Sequence, residues 1–188
     1  MVNFLLLYLL LPIFPHLLTL FRTCQCSKEK QQSRSQAISS LPDRYHSPLT
    51  SQQASILNTP LPLLATQIKS NEISPQDVLT AYGKRALQAH AKTNCLTEIM
   101  IADGERLLED GTRIRTDYGQ RPLAGIPISL KDMVSLAGYD SCIGYSSYVG
   151  KPKLQDSPLV LLLRDAGEPA ELVIEARTKL TLQGQYPL

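Results

Sequence analysis

The sequence predicts an α/β layered domain, and three observations carry that prediction. Two helix-start signals, Ser74-Pro75 and Asp156-Ser157-Pro158, each open an amphipathic run. Between them lies Gly125-Ile126-Pro127-Ile128-Ser129-Leu130, an apolar stretch of strand character with a proline at its edge. A shorter extended candidate, Cys95 to Met100, follows the first of the two helices. Alternating helical and extended segments of this kind pack as layers around one core.

The chain has 188 residues, 43% hydrophobic and 19% charged, enough for one domain or for part of a larger one. A net charge of +2, with no basic stripe interleaved with aromatics, leaves nucleic acid without a docking surface, so no nucleic-acid partner is expected. The positive charge is unevenly placed, because residues 22–46 hold five Lys/Arg against Glu29 and Asp43. Of four cysteines, Cys24 and Cys26 lack the two-residue gap of zinc or redox pairs, and Cys95 and Cys142 stand alone. Cys95 and Cys142 read as buried small hydrophobes and a reducing compartment is expected, with neither a metal site nor a cofactor implied.

Phe4 to Phe21 contains no Asp, Glu, Lys or Arg. As a helix it reaches about 27 Å, close to the hydrocarbon thickness of a bilayer, although Pro12, Pro15 and His16 interrupt its apolar character. Residues 1–21 therefore read as a membrane anchor, with a cleavable signal peptide and the secretory pathway as the alternative. For an anchor, the basic flank that follows places the body in the cytoplasm and makes Cys24 and Cys26 candidates for palmitoylation. Residues 22–58 are polar and expected to be a disordered basic linker, and the folded part is expected over 59–188.

Within that part, Leu63, Leu64, Gln67 and Ile68 predict a short amphipathic helix. Ser74 as N-cap, Pro75 at the first helical position and Asp77 in the capping-box place start a longer one. Val78, Leu79, Tyr82, Ala86 and Ala89 carry it to about Ala91, with Gly83 marking a close packing contact. An acid-rich helix over 102–110 turns Leu107 and Leu108 inward. Gly138 to Gly150 is irregular, and a last helix starts at Asp156 or Ser157, buries Leu159, Leu162, Leu163 and Ala166, and ends at Gly167. Leu172 to Ile174 is a further candidate strand.

The residue that ends the apolar run is Lys131, and there burial disfavours an ammonium and favours a neutral amine able to accept a proton. Ser74 to Tyr82 with Lys92 to Glu98, then Leu123 to Asp132 with Gly138 to Gly144, then Asp156 to Gly167 together resemble the amidase signature family. The likeness is to its fatty-acid-amide-hydrolase-like and fungal acetamidase-like members and covers roughly Leu61 to Gly167. It implies the N-terminal part of an α/β/α layered domain with a mixed sheet, preceded here by the apolar segment. It also implies hydrolysis of carboxylic amides, fatty-acid amides among them, with a small-molecule amide as substrate. The family uses a serine–cis-serine–lysine relay, and Lys131 matches the lysine. Backbone N–H groups of a glycine-rich turn hold the oxyanion.

The family's two serines sit in a Gly/Ser-rich run downstream of the lysine, and no such run occurs in these 188 residues. Ser146-Ser147 lacks the flanking glycine pairs and reads as an exposed loop, while Ser129 is one residue too close to Lys131 for a Ser-x-x-Lys pair. His46 and His90 have no acid or nucleophile at a useful spacing and read as solvated. After Gly167, Glu168-Pro169 departs from the family pattern, a join that suggests an early stop, an unspliced intron or a frame change. The expectation is a chain of amidase ancestry, inactive as written. The alternative is a non-catalytic, membrane-tethered amidase-like piece or pseudoenzyme that acts as a binding module.

Overall fold

The structure, a computed structural model, describes residues 13–109, 121–167 and 174–176. It opens with α1 (Ile13–Ser39), a helix of 27 residues. Beyond Phe21 half of the helix is Lys, Glu, Gln or Arg, all good helix formers, and Gln25 Nε2 donates to Glu29 Oε1 one turn away at 2.9 Å. This polar composition means that, among the described residues, no helix is long and apolar enough to cross a membrane. Residues 1–12, which hold the first half of the expected anchor, lie outside the described residues.

The stretch expected as a linker, residues 22–58, is ordered into the body. After α1 comes a 3-10 turn, Asp43–Tyr45, and then α2 (Ser51–Asn58), opened by a capping box in which Thr50 Oγ1 accepts from Gln53 N and Gln53 Oε1 accepts from Thr50 N. Leu41, Tyr45 and Ile56 are buried. A low apolar content concealed this because these three side chains do most of the packing. Lys84 fastens the stretch from the other side. It is buried in α4 and donates to Ser47 Oγ at 3.0 Å, Pro48 O at 3.0 Å and Gln53 Oε1 at 2.9 Å.

Two helices follow as the periodicity predicts. α3 (Leu61–Lys69) buries Leu64 and Ile68. α4 (Pro75–Thr93) starts on Ser74, whose Oγ accepts from Asp77 N at 3.1 Å and donates to Asp77 Oδ2 at 2.7 Å. It ends two residues past the expected point, at Asn94 in the left-handed conformation. Gly83 is the predicted close contact, since a Cβ there would lie 2.7 Å from Tyr45 Cε1. β1 (Leu96–Ile99) and α5 (Ile101–Glu109) come next, with Leu107 and Leu108 half-buried and Leu108 packed beside Leu41 and Tyr45.

Among the described residues, three clusters make the core. Ile56, Leu64, Ile68, Val78, Ala81 and Ile126 join α2, α3 and α4. Leu41, Tyr45, Leu79 and Ile101 fill the space between α4 and α5. Met100, Leu130, Leu136 and Val160 gather the C-terminal half of the described chain around α6 (Pro158–Asp165). Ser157 is the N-cap of α6, its Oγ facing Val160 N at 3.5 Å, while Asp156 instead accepts from Ala137 N at 2.8 Å. The buried face of α6 differs from the expected one. Val160 is its buried residue and Leu163 packs beside it, whereas Leu159 and Leu162 are 48% and 67% exposed. Val160 and Leu163 are one helical turn apart and both face the third cluster, which turns Leu159 and Leu162 away.

β1 pairs antiparallel with β2 (Ile174–Ala176), so the last residue of the Leu172–Ile174 candidate is in a strand and the other two lie outside the described residues. This two-stranded sheet is the sheet found among the described residues. The apolar run 125–130 is extended without joining a strand ladder there. Single-residue bridges mark Ile128 and Lys131 in place of a continuous strand. An extended segment becomes a strand only where a second one runs alongside for several residues.

Candidate functional site

Gly125 turns the chain with φ +78°, close against Ile68 and Pro75, and delivers it into the extended run. From there exposure alternates as an extended backbone dictates: Ser129 and Lys131 face outward, Leu130 and Asp132 inward. Leu130 anchors the run in the third core cluster. Lys131 is thus held at a fixed point of the backbone with its amine outside. The burial expected around it is not found, because it falls on the open side of this alternation.

Immediately after Lys131 the backbone is tied down. Val134 N donates to Lys131 O at 2.8 Å, closing a tight turn. The Asp132 carboxylate, 9% exposed, accepts from Cys142 N at 3.0 Å, and Asp132 O accepts from the buried Ser141 Oγ at 2.7 Å. Burial pushes the Cys142 thiol up to about 12, with the carboxylates of Asp132, Asp140 and Glu98 adding to the shift and Lys30 opposing it.

One residue before Ser141, Asp140 opens a polar cluster built from three distant parts of the chain. Lys30 of α1 donates to Asp140 Oδ2 at 2.9 Å and to Glu98 Oε1 of β1. Asp140 Oδ2 also accepts from Gly150 N at 2.9 Å, which draws the loop 140–150 closed. Burial works to lower Lys30, but the bonds to Glu98 and Asp140 outweigh it and hold the amine above its ordinary value. Burial also works to raise Asp140, and there Lys30 with the amides of Gly150 and Lys151 wins and holds it low. Glu98 goes the other way: burial, with Asp140 and Asp132 nearby, raises it despite Lys30. Two carboxylates around one ammonium are driven apart, and Asp140 keeps the charge more firmly.

The other singled-out residues do not join this site. Ser147 is exposed, and Ser146 is half-buried in a 3-10 turn with its Oγ 3.5 Å from Thr23 Oγ1. His90, expected to be solvated, is half-buried, and its Nδ1 accepts from Leu96 N at 3.1 Å; burial and then Arg34 lower it. His46 lies 3.2 Å from Leu41 O through Nε2. Among the described residues the cysteines are free thiols, with Cys24 exposed and Cys142 buried. A shallow open groove lined by Ser135, Tyr148, Lys151 and Lys153 does not include Lys131.

Sequence reading missed Lys30, Glu98 and Asp140. Glu98 was the available signal: an acid inside a short strand calls for a cation, but nothing local says which one.

The family model described as amidase matches residues 77–180. Acetamidase of Aspergillus oryzae is 34% identical over 123 residues, which is 63% of this chain and 22% of that protein. Fatty-acid amide hydrolase 1 of Sus scrofa is 37% identical over 112 residues, 60% of this chain and 18% of its own. Among solved structures, a fatty acid amide hydrolase superposes with a TM-score of 0.67 at 23% identity, covering 81% of this chain and 30% of that one. An amidase family protein from Bacillus anthracis superposes with a TM-score of 0.56 at 18% identity over 78% of this chain and 29% of its own. The chain thus spans about a fifth of the length of the curated relatives it matches.

Proposed function

Because the chain belongs to the amidase family, we propose that it supplies the lysine-bearing portion of an amide-hydrolysing site, with Lys131 as the terminal proton acceptor. The observation that carries this reading is the setting of Lys131. Leu130 on one side is packed in the core and Asp132 on the other is buried and hydrogen-bonded, while Lys131 itself projects outward at the end of an extended run. A base must be held still and reachable at once, and this backbone does both.

In the complete reaction the Lys131 amine takes a proton from a bridging serine, which takes one from the nucleophilic serine. The nucleophile's oxygen bonds to the amide carbon, the C–N bond breaks, and the amine leaves carrying the proton returned along the relay. Water then cleaves the resulting ester. Neither serine is identified among these 188 residues, so the chain by itself is proposed to be catalytically silent. The mixed sheet and α/β/α layering belong to the completed domain.

The test is a graft. Residues 77–167 replace the matching segment of the Aspergillus oryzae acetamidase, and the chimera is assayed on acetamide. Retained turnover is expected, with Lys131→Ala lowering it roughly 10²–10⁴-fold. Equal turnover with and without the lysine overturns the assignment. A fluorophosphonate probe should leave the 188-residue chain unlabelled, and labelling would show a nucleophilic serine of its own.

A second reading, a non-catalytic membrane-tethered amidase-like piece that binds a partner, rests on α6. There Leu159, Leu161 and Leu162 are all exposed beside the third core cluster. Membrane attachment through residues 4–21, with the body cytoplasmic, is part of the same proposal. Flotation of the chain with vesicles, lost on deleting residues 1–21, tests it.

A further inference from the structure

We propose that Lys30 of α1 is a positioning residue for Lys131, acting through the loop 140–150; this inference rests on the assignment of Lys131 as base and concerns how that site is held. The path is continuous. Lys30 Nζ donates to Asp140 Oδ2 at 2.9 Å, and the same oxygen accepts from Gly150 N at 2.9 Å, so one ammonium fixes the start of the loop and faces its closure. The next two residues after Asp140 both bond to Asp132: Ser141 through its hydroxyl at 2.7 Å and Cys142 through its amide at 3.0 Å. Asp132 directly follows Lys131 in the chain. Three residues therefore lie between the helix and the base, and each link is a hydrogen bond or a peptide bond.

Electrostatics explains why a cation stands at position 30. Glu98 and Asp140 both point at Lys30, and Asp132 lies close enough for its charge to be felt at Glu98 and at Cys142. Without the ammonium, two partly buried carboxylates would face each other, and repulsion would push the loop off α1. Arg34, four residues further along the same helix, provides a built-in comparison. It donates to Leu96 O at 2.9 Å and to Asn94 Oδ1 at 3.0 Å, and so fastens α1 to the start of β1.

The test uses the 188-residue chain and two rates read by peptide mass spectrometry. One is alkylation of the buried Cys142 thiol by iodoacetamide at fixed pH, which reports whether the loop leaves Asp132. The other is the pH profile of reductive methylation at the Lys131 amine, which reports its surroundings. Lys30→Met should speed Cys142 alkylation by about tenfold or more, the order expected from losing two charge-assisted bonds, and should shift the Lys131 profile. Lys30→Arg should restore both to within about twofold of the parent, and Arg34→Met should leave the Lys131 profile in place.

An unchanged Cys142 rate in Lys30→Met overturns the proposal. So does a faster Cys142 rate with an unmoved Lys131 profile, since Lys30 would then hold the loop alone. If Lys30→Met does not fold, Asp140→Leu removes the same contact and is read the same way. Failure of the base assignment appears only in turnover of the Lys131→Ala graft and leaves these two rates untouched.

Discussion

The backbone amide of Cys142 donates to the carboxylate of Asp132 at 3.0 Å, across ten residues and inside the protein. Asp132 is consequently an architectural acid. It fastens the chain immediately beyond Lys131 to the segment that returns past it. Replacing it by alanine leaves a buried N–H without an acceptor, which costs about 1–3 kcal/mol, whereas asparagine keeps an acceptor and costs less. Urea unfolding should order the variants parent, Asp132→Asn, Asp132→Ala. A stability of Asp132→Ala equal to the parent's would mean that water replaces the carboxylate.

Gly83→Ala sets two effects against each other. Helix propensity favours alanine by roughly 1 kcal/mol. The new methyl group would sit 2.7 Å from Tyr45 Cε1 and 3.2 Å from Ile101 Cδ1, both in the second core cluster. Overpacking a filled core costs about 1–3 kcal/mol, so the substitution should destabilise on balance. Thermal melting decides it: a higher midpoint in Gly83→Ala would show that Tyr45 can move aside.

Much of this architecture was legible in the sequence because it is local. Ser74-Pro75 and Ser157-Pro158 announce helix starts with a hydroxyl and a ring whose effects reach one turn. Gly83 announces contact because nothing else justifies a glycine in mid-helix. The run ending at Lys131 was legible as a backbone path and as a family motif, but not as an exposed position, since burial depends on what else packs there. The role of residues 22–58 was hidden for a related reason. Lys30 and Arg34 look like ordinary solvated cations until their acceptors arrive from Asn94, Leu96, Glu98 and Asp140, 60 to 110 residues away. The buried face of α6 is not legible in the sequence because four leucines in eight residues satisfy several stripes equally well.

Lys84 tests whether the N-terminal stretch is fastened as tightly as its contacts imply. Its ammonium satisfies Ser47, Pro48 and Gln53 at once and is 3% exposed. Lys84→Met keeps the length of the side chain and strands three acceptors, at a cost of about 1–3 kcal/mol. Limited proteolysis should then cut first between Ser47 and Gln53, ahead of any site in α4. Cleavage elsewhere first would separate the lysine from the order of that stretch.

Stability should also fall as the solution becomes alkaline, and the sign follows from three raised groups. Burial raises Cys142 from 9.0 to about 12. Burial, with the Glu105 carboxylate behind it, raises Tyr45 above its ordinary 10.0. Lys30 is raised above 10.5 by Glu98 and Asp140 against the pull of its own burial. A group whose folded value lies above its unfolded one adds stability that is complete below the unfolded value and lost as pH rises through the folded one. The loss should therefore begin near pH 9 with Cys142 and steepen beyond 10 as Tyr45 and Lys30 join. One such group changes the slope by at most about 1.4 kcal/mol per pH unit. On the acid side the raised Glu98 adds stability as pH falls toward 4.5, and Asp140, held low, loses its contribution only below 3.8, so that limb should rise slightly before it falls. Urea midpoints measured from pH 3 to 11 check both limbs, and Cys142→Ala should flatten the segment between 9 and 10. A Cys142→Ala curve parallel to the parent's there would place the thiol in contact with solvent in the native state.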